Sequence, residues 1–175
     1  MDLANRKTIR LTGHDYSQAG YYFITICTSD RRFLFGTVKN GEMFLSKTGV
    51  IVKTNIEDIS NHFSKISVDK FVVMPNHLHL ILVVLSDTVC CDADAMYGVP
   101  TSADSACNLT DKSKQLVPRA IQQFKASASR QTRIPNIWQK KYHDHIIRDE
   151  DDYLNIWRYI DENPVIWEED KYFQE

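Results

Sequence analysis

The alternation of apolar and polar positions divides this chain into strands and helices before any residue is given a chemical role. Residues 21–28, YYFITICT, are aromatic and β-branched and read as a buried strand. Segments 33–38 and 42–45 flank Asn40-Gly41, a pair that predicts a hairpin turn. Ser46 is placed to cap a helix in which Val50, Ile51, Thr54, Ile56, Ile59 and Phe63 recur at roughly helical spacing. Residues 68–74 form a second central strand, Pro75-Asn76 breaks it, and 77–85 form a third. Helical spacing returns over 116–133, with Leu116, Ile121, Phe124 and Ala128 near one face. A short fourth strand spans 142–148. Asp149 then caps a helix that opens with Glu150-Asp151-Asp152, acids where the helix dipole favours them, and stops before Pro164.

This order predicts an α+β fold. It is a ferredoxin-like β-α-β-β-α-β antiparallel sheet with helices on one face, an added β-hairpin and a C-terminal helix. One domain over 1–175 accommodates all of it, with a flexible insertion at 86–114, where Asp, Ser, Ala and Thr replace the apolar period. That stretch holds five Asp (87, 92, 94, 104, 111) against Lys112 and Lys114, so it is not expected to clamp an anion. The fold does not name a function.

Composition narrows the class. Apolar residues make up 43% and charged residues 25% of the 175, as in a soluble globular domain. The longest apolar stretch, 80–85, has strand length, which argues against a membrane span, and the start MDLANRKTIRL lacks the apolar core of a secretory signal. A cytoplasmic protein is expected, with Cys27, Cys90, Cys91 and Cys107 as free thiols. The net charge of −2 hides a strong asymmetry. Residues 112–148 carry nine Lys or Arg against the single acid Asp144, whereas 149–175 carry ten acids against Arg158 and Lys171. Further bases, among them Arg6, Lys7 and Arg10, lie near the start. Two basic segments and an acidic tail leave nucleic-acid binding and ordinary solvated faces equally open on charge alone.

Two constellations carry chemistry. In VVMPNHLHLILVV, His77 and His79 are two apart on a strand, so both rings share a face while Leu78 and Leu80 turn to the core. Such a pair either grips a divalent cation, Mg²⁺ or Mn²⁺ where a phosphate adds oxygens, or is simply two half-exposed rings at a strand start. Polar rings on so apolar a strand need partners. In RYIDENP, Tyr159 and Asn163 are four apart on a helix docked by the stripe Tyr153, Ile156, Trp157, Ile160. Tyr159 is then either a core-edge residue or, beside a metal, a nucleophile toward a phosphodiester. Asn163 is either a helix cap or a third ligand.

Between them lies WQKKYHDHIIR. Trp138, Lys140, Lys141 and Arg148 have the mix of aromatic and cation that suits phosphate contact with base stacking. His143 and His145 form a second His-x-His, but strand alternation sets Asp144 opposite them, so a structural or DNA-contacting role is favoured over metal binding. Lys125 and Arg130 are candidates for the same phosphate channel, or are solvated helix charges.

Taken together, RKTIRLTGHDYSQAGYYFITICT, FGTVKNGEM, FVVMPNHLHLIL, IQQFKAS, IWQKKYHDHIIRDEDDY and YIDENP resemble the HUH-type transposases with one catalytic tyrosine, in particular the REP-associated tyrosine transposases (IS200-like). The resemblance runs from about residue 6 to 167. It implies His77, His79 and Asn163 as metal ligands and Tyr159 as the nucleophile. It also implies single-stranded or hairpin DNA, with palindromic repeats, as substrate, and a 5′-phosphotyrosine intermediate that leaves a free 3′ hydroxyl. The palindrome-associated branch implies a monomer, whereas insertion-sequence relatives work as dimers that exchange the tyrosine helix. Two other activities stay open: a non-catalytic nucleic-acid-binding module, and a metal-dependent phosphodiesterase that uses water.

Overall fold

The computed structural model describes residues 14–86, 115–170 and 172–173. The insertion expected at 86–114 lies, but for Ser86, outside the described residues. So do Arg6, Lys7, Arg10 and three of the cysteines, while Cys27 is a buried cysteine outside any disulfide. The elements are β1 (Gly20–Cys27), β2 (Gly36–Lys39), β3 (Glu42–Leu45), α1 (Lys47–Glu57), α2 (Ile59–His62), β4 (Ile66–Val73), β5 (His77–Val84), α3 (Leu116–Thr132), β6 (His143–Ile147) and α4 (Glu150–Glu162). The protein is a mixed α+β fold. A four-stranded sheet has the order β4-β5-β1-β6, every neighbouring pair antiparallel, and β2 with β3 forms a separate hairpin.

Local chemistry explains the element boundaries. Asn40 and Gly41 both take positive φ, 52° and 76°, as a tight two-residue hairpin turn requires. Ser46 caps α1 by accepting from the Gly49 amide, and Asp149 caps α4 by accepting from the Asp152 amide. Arg133, with φ 56°, ends α3 in the left-handed conformation.

The central strand β5 is buried on both faces: seven of its eight residues are buried, so alternate side chains need cover on each side. On one face Ile24, Ile26, Leu78, Leu80 and Leu82 pack with Val52 and Ile56 of α1 and Val117, Ile121 and Phe124 of α3. On the other, Ile81 and Ile147 pack with Ile160 of α4. Helices on a single face, the sequence expectation, therefore holds for α1 and α3 only. No helix among the described residues is long and apolar enough to cross a membrane.

A β-bulge on β4 sets how α4 docks. Val68 pairs with Leu82 and Lys70 with Ile81, so Asp69 is an extra residue. Asp69 accepts from the Tyr153 hydroxyl at 2.8 Å, and the Lys70 ammonium lies 2.5 Å from Asp161 and 3.6 Å above the Trp157 ring. Trp157, expected in the docking stripe, is instead 39% exposed beneath that lysine.

The α1 start also leaves no room for a side chain at Gly49. A Cβ there would stand 2.0 Å from the Phe35 carbonyl oxygen, a backbone atom that cannot swing away. Gly49→Ala is expected to lower the stability to chemical denaturation by about 1–3 kcal/mol, and Ser46→Ala by about 1 kcal/mol. A Gly49→Ala protein as stable as the parent would contradict this packing.

Candidate active site

His77 and His79 open β5 directly after the Pro75-Asn76 break, and both rings are fully buried. Each is held from behind. Asn76 donates its amide N–H to the Tyr172 carbonyl at 2.8 Å, which turns its Oδ1 toward His77 Nδ1, also at 2.8 Å. The Asn76 oxygen can only accept, which places a proton on His77 Nδ1 and directs Nε2 into the site. His79 Nδ1 meets the Thr25 hydroxyl at 2.8 Å across the β1–β5 ladder, where the two residues are in register. The two Nε2 atoms then face each other at 3.0 Å. Two ring nitrogens this close are held together by a shared proton or a cation.

The next groups come from α4 and the turn after it. Tyr159 Oη stands 3.3 Å from His79 Nε2 and donates to Asp170 Oδ2 at 3.1 Å. Asn163, one helical turn beyond Tyr159 and fully buried, donates its amide N–H to the same carboxylate oxygen at 2.9 Å. Asp170 Oδ1 accepts from the Tyr172 backbone amide at 2.7 Å. The Tyr159 phenol is pushed well above its usual range, first by burial and then by the Asp170 charge. Left as it is, this tyrosine stays protonated.

The donor set fits a divalent cation. His77, His79 and Asp170 each offer a ligand atom, all within 4.8 Å of one another. Asn163 Oδ1, on the amide that touches Asp170, is buried without a hydrogen-bond partner, a costly state that a cation would relieve. Two imidazoles with a carboxylate and an amide oxygen form a mixed nitrogen–oxygen set open to several divalent ions.

The sequence-predicted residues Tyr159, His77, His79 and Asn163 thus converge, and all come from one chain. Asp170 is the residue that sequence reasoning missed. It sits in WEED, read only as acidic tail, and no period links it to His79. Of the candidate DNA contacts, His143 and His145 lie on the His79 face of the sheet, since His143 and His79 both pair with Thr25. His145 Nε2 is 2.7 Å from Asp152 Oδ2, and Asp144 turns the other way to accept from the Tyr16 hydroxyl. Lys140, Lys141 and Arg148 are exposed. Trp138 is half-buried against Phe35 and Phe124, with its indole N–H bonded to the Lys125 carbonyl, so its ring belongs to the core edge. The Lys125 ammonium donates to the Gln139 carbonyl at 2.6 Å, and Arg130 is exposed on the same helix. That helix, α3, covers the face away from the histidines, so Lys125 and Arg130 are not brought to the histidine face.

Comparison with known proteins bears on the family and the fold. No family model matches the chain. An uncharacterized protein of Haemophilus influenzae is 36% identical over 174 residues, covering 97% of this chain and 93% of its own. A second protein of that organism, named "Putative REP-associated tyrosine transposase", is 26% identical over 151 residues, covering 86% of this chain and 73% of its own. Among solved structures, the REP-associated tyrosine transposase bound to a REP hairpin superposes with a TM-score of 0.58 at 20% identity, over 89% of this chain and 71% of that one, a likeness of fold. The names of these relatives support the HUH-type single-tyrosine transposase family, REP-associated and IS200-like. Kinship and the His/His/Asp cluster together support metal-dependent nuclease or transposase activity in general terms.

Added Mn²⁺ should raise the melting temperature, by an amount equivalent to about 2.7 kcal/mol at a hundredfold excess over Kd. In Asp170→Ala and His77→Ala the shift should vanish. An undiminished shift in Asp170→Ala would remove Asp170 from the ligand set.

Proposed function

We propose that the protein is a DNA-nicking and joining enzyme, a transposase, that cuts single-stranded DNA beside a hairpin through a 5′-phosphotyrosine intermediate. The observation that carries this reading is the position of the Tyr159 hydroxyl, 3.3 Å from His79 Nε2 and 3.1 Å from Asp170. The sheet order β4-β5-β1-β6 supports a ferredoxin-like scaffold in which β5 presents the histidines and α4 the nucleophile. The hairpin-bound relative, alike in fold, supports a hairpin, with palindromic repeats the natural source of one.

The reaction divides among the chain's own residues. Tyr159 Oη forms a bond to the scissile phosphorus, and the bond from phosphorus to the 3′ oxygen breaks. The phosphate stays on Tyr159 and the departing strand ends in a 3′ hydroxyl. The phosphodiester energy is kept in the phosphotyrosine bond, so a second 3′ hydroxyl reverses the step and joins strands without ATP. Asp170 Oδ2 is the nearest acceptor for the phenolic proton. His77, His79, Asp170 and Asn163 would hold a Mg²⁺ or Mn²⁺ ion, which when bound polarises the phosphate and stabilises charge on its oxygens. Asn76 and Thr25 hold the imidazoles in the orientation that keeps Nε2 directed at the site. Because one chain supplies both histidines and the tyrosine, a monomer suffices.

Incubation with a hairpin-bearing oligonucleotide and Mn²⁺ should yield a protein–DNA adduct stable to denaturing electrophoresis. Tyr159→Phe should abolish the adduct while binding stays within a few-fold. Cleavage to free 5′ phosphates with no adduct would instead indicate water as the nucleophile and sink the tyrosine assignment.

A further inference from the structure

We infer that the cavity beside the metal cluster, between β1, β6 and the turn after β1, is a subsite for one unstacked nucleotide of the single strand next to the cut phosphate. This rests on the reading above and says how the strand is held.

The cavity measures about 430 Å³, and its walls include Phe23, Arg31, His143, His145 and Tyr172. It adjoins the site directly. Thr25, in its floor, bonds His79 Nδ1, and the Phe23 ring stacks on the His79 ring at 5.3 Å and 23°. Tyr172 lies 4.6 Å from the His77 ring. His79, Thr25 and His143 form one row across three strands, so His143 stands about 10 Å from His79, two strand spacings. A strand with one phosphate at the histidines reaches the cavity with its neighbouring nucleotide.

The chemistry of the walls suits that occupant. Phe23 is half-buried and His143 and His145 are exposed, so flat π-faces line the space, as sequence-tolerant base stacking requires. The Arg31 guanidinium lies over the Tyr172 ring at 5.4 Å and supplies the positive charge for a phosphate. It is carried on an unusual backbone: Asp30 and Arg31 are consecutive non-glycine residues in the left-handed region, φ 56° and 52°. Local strain of that kind persists only where the surrounding fold enforces it, and here it brings Arg31 to the cavity. Asp144 also lines the cavity, its carboxylate engaged by the Tyr16 hydroxyl, and Asp152 is paired with His145.

The test uses Tyr159→Phe protein with Mn²⁺, so that the strand stays whole, and a short single-stranded oligothymidylate carrying 5-iodouracil. Irradiation should attach the base to peptides containing Phe23, His143 or His145. In binding titrations on the same background, Arg31→Gln should weaken affinity about tenfold and lower the salt dependence by about one counterion. His143→Ala should weaken affinity several-fold with the salt dependence unchanged. Cross-links confined to other surfaces, or both variants binding like their parent, would overturn the proposal. Neither readout needs strand cleavage, so a missing adduct in the nicking experiment and an empty subsite are separate failures.

Discussion

Two imidazoles buried side by side on a central strand, with Nε2 atoms 3.0 Å apart, are the constraint around which this face of the protein is organised. Each unsatisfied buried polar group would cost on the order of 1–3 kcal/mol, so every neighbour serves to satisfy or direct them. The β1–β5 register supplies Thr25, the break before β5 supplies Asn76, and the Tyr172 carbonyl orients Asn76. With both Nδ1 atoms occupied from behind, reactivity is left at one side only. Asp170 and Tyr159 close that side.

The two faces of the sheet consequently do different work. The face under α1 and α3 is a continuous apolar core and sets the geometry of β5. The opposite face is apolar only beneath α4, and polar along the row from His79 through Thr25 to His143. The bulge at Asp69 contributes to this division. It interrupts the alternation of β4 and points Asp69 and Lys70 at α4, so the helix is located partly by polar contacts at its outer edge.

Much of this was legible in the sequence because it depends on short-range rules. Asn40-Gly41 made the hairpin, Ser46 and Asp149 made their caps, and period two placed His77 and His79 on one face. Period 3.6 likewise put Tyr159 and Asn163 together. What escaped notice depends on tertiary closure. Asp170 reaches the site because the chain turns back after α4, and a lone Asp among tail acids carries no signal of that. The indole of Trp138 looks like a base-stacking platform beside two lysines, yet Phe35 and Phe124, distant in sequence, claim it. Trp157 fits the apolar stripe by spacing, but the bulge presents Lys70 to it instead of a core. The side of the sheet that α4 covers was also hidden, since an amphipathic helix does not state which face it will meet.

The cluster beneath α4 has a wider meaning. Ile81, Ile147 and Ile160 are its buried members, far fewer than those joining α1 and α3 to the sheet. A helix held by so little apolar area belongs to the low end of local stability within a fold. The proposed nucleophile is therefore mounted on the helix with the smaller apolar footing, while His77 and His79 sit on β5, the most fully buried strand of the sheet. A tyrosine joined to DNA, as proposed, could then shift together with Asn163 and Asp170, which follow α4, while His77 and His79 stay fixed in β5.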